Sequence, residues 1–365
     1  MKRKFIISVV FNLITSFVVF SQSIENSNNC DKTLSGAYKD FFTIGAAVNP
    51  LFISSKDTLL LIKQFKSITA DNCMKPEVVH PSETKWDWTE ADKLVDFASR
   101  NGIKVRGHCL VWHQQTPAWF FKDGDHSASK KLVLKRMKDH ITTVMRRYQG
   151  RVYCWDVVNE AVDDDSTRIY REKGSKWYQI AGEKFIAKAF EYAHQADPNA
   201  ILFYNDYNTT RPEKRERIYK LLKKLVDQGV PIKGLGMQGH WSVFEPSEDE
   251  LRTAIKRYSS LGLQIQITEL DISVYKWEKE QRKRIEGEND HFTSKLQKEQ
   301  NDKYGMIFRV LRDFKDIITG VTFWGVADNS TWLDNYPVNG RKNYPMLFDE
   351  NLKPKAVFYN IVNFK

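Results

Sequence analysis

The sequence predicts one α/β domain in which eight strand-helix units close into a (β/α)8 barrel, the TIM barrel. Between residues 44 and 361, short β-branched or aromatic runs alternate about eight times with longer runs of helical periodicity. The chain has 365 residues, of which 41% are hydrophobic, enough for one barrel with a sizeable core. No Pro-rich or Ser-rich linker separates two regions of different composition, so we expect a single catalytic domain.

The predicted elements follow one another in the order that such a barrel requires. The apolar β-rich runs predict strands at 43–48, 67–72, 104–112, 152–159, 201–207, 234–240, 264–270 and 317–324. The runs of helical periodicity predict helices at 57–66, 90–101, 129–148, 177–195, 211–228, 247–261, 296–314 and 356–362. Right-handed crossovers place the helices outside and allow the sheet to close without free edges. The highly charged stretch 276–300 after the seventh strand is expected to form a long loop at the catalytic end.

The N-terminus has the order of a secretory signal peptide, which we place at residues 1–22. Three cationic residues come first, an apolar run from Phe5 to Phe20 follows, and small polar residues end it. A signal anchor is the alternative, but the run contains Asn12 and Thr15 and is short for a membrane span. We therefore expect export to the periplasm or medium, a polar lead at 23–40, and the barrel domain at 41–365.

Charge and cysteine usage exclude several classes of function. The formal charge is +10, and without the three signal-peptide cations 10 − 3 = +7 remains, spread along helix-like stretches. Nucleic-acid binding would need a denser basic stripe with interleaved aromatic residues. The four cysteines lack metal-type spacing, and we expect buried free thiols. His108 and His113 lie on opposite faces of one strand, so no metal and no cofactor is expected. We also expect a monomer.

Two predicted strands end in a carboxylate, and these carry the chemical argument. Glu160 ends the fourth strand and Glu269 the seventh, which lie across the mouth of an eight-stranded barrel. Alone, either glutamate could be a helix cap or a salt-bridge partner. Together they can flank one bond, and carboxylates ~5 to 5.5 Å apart are what a retaining glycosidase needs. Desolvation beside a second carboxylate would raise one pKa enough to make that group a proton donor.

From about residue 44 to 361 the chain resembles the family 10 glycoside hydrolases, endo-β-1,4-xylanases with (β/α)8 folds. The resemblance rests on seven ordered blocks: NCMK at 72–75, RGHCLVWH at 106–113, WDVVNEA at 155–161, YNDYN at 204–208, GMQGH at 236–240, ITELDI at 267–272 and FWGVADNSTW at 323–332. It implies that Glu160 is the acid/base and Glu269 the nucleophile. It also implies that Asn159 binds the 2-hydroxyl of the sugar under attack and that His240 orients the nucleophile. Gln238 is expected to reach the sugar or the nucleophile.

The same resemblance implies a set of sugar-binding residues on either side of the scissile bond. His108 and Lys75 would contact a hydroxyl, Trp112 would form a wall of the glycone pocket, and Gln115 would reach the next sugar. The block containing Asn72 belongs to this side. Trp324 and Trp332 resemble the family's aromatic platform, on which the apolar face of a β-linked pyranose stacks. Tyr207 would lie on the leaving-group side.

One position departs from the family pattern. Asp71 stands where the family usually has Glu, so the second glycone sugar would be held less tightly or through water.

The preference for xylan over cellulose depends on the resemblance, which implies that Trp324 and Trp332 exclude a hydroxymethyl group. Another retaining β-1,4-glucanase or mannanase, and a non-catalytic polysaccharide-binding protein, are the alternatives. An unrelated barrel enzyme for phosphorylated metabolites would need a Gly-rich phosphate loop, which residues 322–332 do not offer.

Overall fold

The computed structural model describes residues 32–55, 58–288 and 290–364, and these contain the predicted closed barrel of eight parallel strands. The strands are β1 Thr43–Val48, β2 Ser67–Ala70, β3 Lys104–Gly107, β4 Val152–Asn159, β5 Ile201–Asp206, β6 Gly234–Met237, β7 Gln264–Ser273 and β8 Ile318–Phe323. Each strand pairs with the next, and β8 returns to β1 with Gly320 opposite Thr43. The predicted fold class is confirmed.

A helix separates each strand from the next, as predicted. The helices are α1 Thr58–Gln64, α2 Thr89–Arg100, α3 Lys130–Arg147, α4 Lys184–Ala196, α5 Pro212–Asp227, α6 Glu248–Ser259, α7 Ser294–Asp313 and α8 Ala356–Val362. In α3, Val133, Met137, Ile141 and Val144 repeat at helical spacing and are buried. At the start of α6, Ser247 and Glu250 form a reciprocal capping box, which satisfies free backbone N–H groups.

Three predicted elements are interrupted. The helix expected at 177–195 is two helices, Lys176–Ala181 and α4, because Gly182 adopts a φ of 66°. The third predicted strand stops at Gly107 and resumes at Val111–Trp112, where Trp112 lies opposite Asn159 of β4. The sixth stops at Met237 and resumes at His240–Ser242, which pairs with β7. Both interruptions occur where the chain leaves the barrel mouth.

The packed domain begins before residue 41. A short helix, Leu34–Ala37, precedes β1, and Leu34 and Tyr38 are fully buried. The Tyr38 hydroxyl donates to the carbonyl of Ile361 in α8, at 2.5 Å. Part of the expected polar lead therefore packs with the barrel domain, since Leu34 and Tyr38 are buried and Tyr38 is hydrogen-bonded to the C-terminal helix. The predicted signal peptide lies outside the described residues.

The described residues also bear on the thiols and on membrane insertion. Cys73, Cys109 and Cys154 are free and buried, as predicted, whereas Cys30 lies outside the described residues. In the part of the chain that the structure describes, no helix combines the length and apolarity needed to cross a membrane.

Candidate active site

Glu160 and Glu269 are both buried at the carboxyl end of the barrel. Glu160 follows the last residue of β4, and Glu269 lies within β7. Their accessible fractions are 9% and 5%. Glu160 has a φ of 56°, and its backbone N–H donates to the carbonyl of Asn205 at 2.9 Å. A left-handed backbone outside glycine costs about 1–3 kcal/mol and persists where the surroundings fix it, often at functional sites.

Both carboxylate oxygens of Glu160 accept a hydrogen bond. Gln238 Nε2 donates to Oε1 and Trp112 Nε1 donates to Oε2, each at 2.8 Å. Burial raises the pKa of Glu160, and the nearby charges of Asp206 and Glu269 raise it further. Together these effects outweigh the hydrogen bond from Gln238, which lowers that pKa. Glu160 is therefore the carboxyl group of the pair that is suited to hold a proton.

Glu269 has the opposite electrostatic environment. Its Oε2 lies 3.0 Å from His240 Nε2, and His240 Nδ1 lies 2.9 Å from Asp271 Oδ2. Burial alone would raise the pKa of Glu269, but the contact with His240 and the neighbouring positive charge bring that pKa below its ordinary value. Burial would lower the pKa of His240, yet Asp271 and Glu269 raise it to about 10. Glu269 is thus a carboxylate held against an imidazolium.

Asn205 connects Glu269 on β7 with Asn159 on β4, beside Glu160. Its Nδ2 donates to Asn159 Oδ1 at 2.9 Å and to Glu269 Oε1 at 2.8 Å. The hydroxyl of Thr268 donates to Asn205 Oδ1 at 2.6 Å, which fixes the amide orientation. Asn205 was predicted to have no role beyond its place in a motif. The signal that could have found it is strand register, because Asn159 of β4 lies opposite Asn205 of β5.

Four predicted sugar-binding residues form one cluster. Lys75 Nζ donates to Asn72 Oδ1 at 2.9 Å and to Gln115 Oε1 at 2.8 Å. Gln115 Nε2 also donates to Asn72, at 3.2 Å, and Lys75 Nζ lies 5.0 Å from the centroid of the Trp112 ring. The cluster reaches Glu160 through Trp112, so it borders the reacting carboxyl.

The remaining predicted glycone residues lie beside that cluster. Asp71, Trp324 and Trp332 line one cavity, and burial raises the pKa of Asp71. His108 Nδ1 lies 2.8 Å from Asp156 Oδ2, and its ring contacts Trp324 edge-on at 5.5 Å. Asp156 is also paired with Arg106 inside the barrel. Asp156 and Arg106 lie in two of the motif blocks, but the sequence did not predict their pairing, because it joins side chains 50 residues apart inside the barrel.

Trp332 is hydrogen-bonded to Asp271, the carboxylate that contacts His240 beside the proposed nucleophile. Its Nε1 donates to Asp271 Oδ2 at 2.9 Å, the oxygen that also contacts His240. The ring centroids of Trp332 and His240 are 5.0 Å apart, and Trp324 lies 6.1 Å from His240. The structure therefore brings both tryptophans to the Glu269 side. The side chain of Gln238, which was expected to reach the sugar or the nucleophile, donates to Glu160, and its backbone carbonyl accepts from Glu269 N.

Tyr207 has no direct hydrogen bond to either glutamate in the structure. Its hydroxyl donates a hydrogen bond to Asp164 and accepts one from Arg171 Nη2 at 2.7 Å. Arg171 Nε donates to the backbone carbonyl of Glu160 at 3.1 Å, which places Tyr207 on the Glu160 side. Lys214 Nζ lies 3.3 Å from the centroid of the Tyr207 ring. Arg171 and Lys214 come from a loop and a helix outside every motif, so the sequence did not indicate them.

No group of three or more His, Cys, Asp or Glu residues within the described ranges is arranged to hold a metal ion. The arrangement consists instead of one proton-holding carboxyl, one ionised carboxylate, and polar and aromatic side chains around them. Such a pair can protonate a leaving oxygen from one side and attack an electrophilic carbon from the other.

Comparison with known proteins gives the family directly. The model of glycosyl hydrolase family 10 matches residues 33–364. The chain belongs to this family. Similar proteins include endo-1,4-beta-xylanase B of Paenibacillus barcinonensis, 49% identical over 90% of this chain and 97% of that protein. The endo-1,4-beta-xylanase of Geobacillus stearothermophilus is 48% identical over 91% of this chain and 98% of that protein.

Solved structures of similar proteins agree with the fold. The crystal structure of xylanase XynB from Paenibacillus barcinonensis, complexed with a conduramine derivative, has a TM-score of 0.86 at 49% identity and covers 90% of this chain and 98% of that chain. A mutant structure in complex with xylotriose has a TM-score of 0.87 at 45% identity, covering 91% and 100%.

Proposed function

We propose that this family 10 chain is an exported, retaining endo-1,4-β-xylanase that hydrolyses internal linkages of xylan. The observation that carries the proposal is the opposite electrostatic setting of two buried glutamates at one barrel mouth. The pKa of Glu160 is raised and that of Glu269 is lowered. A retaining glycosidase requires one protonated and one ionised carboxyl at the start of its cycle.

In the first step, the ionised Glu269 attacks the anomeric carbon of the bound sugar. The bond from that carbon to the glycosidic oxygen breaks, and Glu160 gives its proton to the departing oxygen. The products are a glycosyl ester on Glu269 and a shortened chain with a free hydroxyl. Asn205 supports both the nucleophile and Asn159, whose proposed contact with the 2-hydroxyl strengthens as the ring flattens.

In the second step, Glu160 is a carboxylate and acts as general base. It takes a proton from water, the water oxygen bonds to the anomeric carbon, and the ester bond to Glu269 breaks. Two inversions at the same carbon give net retention. Gln238 and Trp112 support this role, because their hydrogen bonds orient both carboxyl oxygens of Glu160 in either protonation state.

The substrate assignment draws on the relatives and on the aromatic walls. The relatives are named endo-1,4-beta-xylanases, and one related structure is described as a complex with xylotriose. Trp324 and Trp332 are the side chains proposed to exclude the hydroxymethyl group of a glucose backbone. The cluster of Lys75, Asn72 and Gln115 is proposed to bind hydroxyls on the glycone side. Residues 1–22 are proposed to direct export, and the exported chain is proposed to act as a monomer.

Alanine variants of the two glutamates, assayed on an aryl xylobioside and on xylan, test their proposed roles. Glu269→Ala should abolish turnover of both, and azide should restore aryl release while giving a glycosyl azide of inverted configuration. Glu160→Ala should lower activity on xylan by about 10²- to 10⁴-fold and should harm release of an activated phenol far less, because a good leaving group needs no proton. Rates and product stereochemistry by NMR check these outcomes.

The matched control is Glu350→Ala, which removes an exposed glutamate elsewhere and should leave both activities unchanged. Full activity in the Glu269 or the Glu160 variant would refute the assignment. Wild-type preference for glucan or mannan over xylan would refute the substrate and leave the mechanism standing.

A further inference from the structure

The charged run that opens α5 contains a lysine that does not face solvent. Lys214 lies in the first turn of α5, and its side chain is 4% exposed. Its Nζ lies 3.0 Å from Asp206 Oδ1, donates to Asp164 Oδ1 at 3.0 Å, and lies 3.3 Å from the centroid of the Tyr207 ring. A lysine is rarely buried without partners, because removing its charge from water is costly. The ammonium is therefore held between two aspartates on the Glu160 side of the barrel mouth.

One line of contacts runs from Lys214 through Asp206 to the backbone after Glu160. Asp206 ends β5 and is fully buried. Its Oδ2 accepts from the Tyr204 hydroxyl at 2.5 Å. That hydroxyl in turn accepts from the backbone N–H groups at 161–162, at 3.0 and 3.2 Å. The two peptide groups that follow Glu160 are therefore held by a tyrosine whose hydroxyl Asp206 orients.

A second line of contacts runs from Lys214 to the backbone of Glu160 itself. Asp164 Oδ1 accepts from Lys214, and its Oδ2 accepts from the Tyr207 hydroxyl. Arg171 Nη2 also donates to Asp164 Oδ2, at 3.3 Å. Arg171 Nε donates to the carbonyl of Glu160 at 3.1 Å. Both lines of contacts that hold the Glu160 backbone thus lead to the same buried cation.

The charge of Lys214 also bears on the proton of Glu160. Burial raises the pKa of Glu160, and the charges of Asp206 and Glu269 raise it further. Among the described residues, Lys214 makes the one ion pair of Asp206, so its positive charge opposes the field of that aspartate. The other ionisable groups that face this buried cluster are Asp164, Arg171, Tyr204, Tyr207, Tyr258 and His113. His113 is neutral near pH 7, since burial lowers its pKa to about 3.

We propose that Lys214 is a positioning residue for the acid/base, which holds the Glu160 backbone through Asp206 and Asp164 and opposes the field of Asp206 at the carboxyl. This rests on the proposed function, because the acid/base role of Glu160 belongs to it. If the cation is removed, Asp206 stays ionised, since two hydrogen bonds still reach its carboxylate. Its uncompensated charge then acts on Glu160.

The test is Lys214→Met, assayed on two aryl xylobiosides that differ in the leaving group. The value of kcat/KM for phenyl xylobioside should fall by about 10- to 100-fold, because that leaving group needs a well-placed proton. Dinitrophenyl xylobioside, whose leaving group needs no proton, should lose much less. The alkaline limb of the phenyl xylobioside profile should also move to higher pH, because the uncompensated charge of Asp206 raises the pKa of Glu160.

Three further variants control for charge and for folding. Lys214→Arg keeps the cation and should restore most of the phenyl xylobioside activity. The matched control is Lys220→Met, which removes an exposed lysine from the same helix and should behave as wild type. The double variant Lys214→Met/Asp164→Asn removes one charge of each sign and tests the proposal where the single variant does not fold. It should show the same difference between the two leaving groups, since Asp206 still lacks its cation.

Equal fractional losses on both substrates in Lys214→Met would overturn the proposal, because the lysine would then contribute only to the stability of the barrel. Wild-type kinetics, or an alkaline limb that does not move, would overturn it as well. If instead Glu160→Ala affects both leaving groups equally, the proposed function fails, and this role of Lys214 fails with it.

Discussion

Glu160 and Glu269 are chemically identical side chains, and their neighbours make them different. Both are buried, which by itself raises the pKa of a carboxyl. Besides burial, two acidic neighbours raise the pKa of Glu160, and the lowering by the amide and indole donors does not cancel this rise, so that pKa stays raised. Glu269 contacts His240, whose pKa of about 10 keeps it charged at neutral pH, so its own pKa is lowered. The contact with His240 is the largest of the effects that lower the pKa of Glu269, and it distinguishes the proposed nucleophile from the proposed acid.

Gln238→Leu tests this balance at the level of one hydrogen bond. The bond from Gln238 Nε2 stabilises ionised Glu160, so its loss should raise the pKa of Glu160 further. Because the first step needs Glu160 protonated, the alkaline limb of the kcat/KM profile should move to higher pH. Profiles on an aryl xylobioside with a poor leaving group measure the shift.

The control for that prediction is Gln115→Leu, the same substitution in a side chain that contacts Lys75 and Asn72. It should weaken substrate binding and leave the alkaline limb in place. A limb that stays fixed, or moves to lower pH, in the Gln238 variant would contradict the proposed role of Glu160.

At the scale of the elements, strand register decides which side chains meet. Asn159, Asn205 and Gly236 lie side by side on β4, β5 and β6. A Cβ on Gly236 would lie 2.1 Å from Asn205 Oδ1, so the absence of a side chain there makes room for the bridging amide. The position of Asn205 thus depends on a glycine in the next strand.

Gly236→Ala should therefore damage catalysis more than folding. The added methyl would push Asn205 away from Glu269 and Asn159, and small displacements of a positioning group can cost about 10- to 100-fold in kcat. Overpacking should also cost about 1–3 kcal/mol in the free energy of unfolding. Steady-state kinetics and urea denaturation measure the two effects. In the control Gly174→Ala, where the added Cβ meets Arg171 at an ordinary 3.4 Å, wild-type kinetics are expected. Unchanged kcat in the Gly236 variant would show that the amide does not need this space.

At the scale of the whole molecule, stability depends on histidines that are buried in their neutral form. His80 and His140 place their Nδ1 atoms 3.2 Å apart, beneath the stacked ring of Trp86. Burial lowers the pKa of His80 to about 4 and that of His140 to about 3. An unfolded histidine titrates near 6.5. Below that pH the unfolded chain takes up protons that the folded protein does not.

The free energy of unfolding should therefore fall as the pH drops from about 6.5 toward 4, by up to about 1.4 kcal/mol per pH unit for each such group. In His140→Phe this slope should be smaller by about one proton. Urea denaturation at pH 7, 6 and 5 measures it. His126→Gln removes an exposed histidine and should keep the wild-type slope. If His140→Phe also keeps the wild-type slope, the buried histidine pair is not the source of the pH dependence.

Much of the fold and the set of candidate groups were accessible from the sequence, since strand and helix periodicities are local. Gly182 divided a predicted helix because periodicity does not report a single left-handed residue. Tyr38 belonged to the core because its partners lie in α7 and α8, far away in the chain. Asp271, Arg171 and Lys214 acquire their site contacts only when a strand, a loop and a helix from different parts of the chain converge.

The sequence by itself determined the eight-unit alternation, the two strand-end glutamates and the aromatic and polar residues near them, because these are written in local pattern and motif. Only the tertiary structure decided which oxygen each donor reaches. It also decided that Gln238 supports Glu160 and that Asn205 joins both halves. The physical reason is that hydrogen bonds and pKa values depend on distances of a few ångströms between segments about 30 to 80 residues apart.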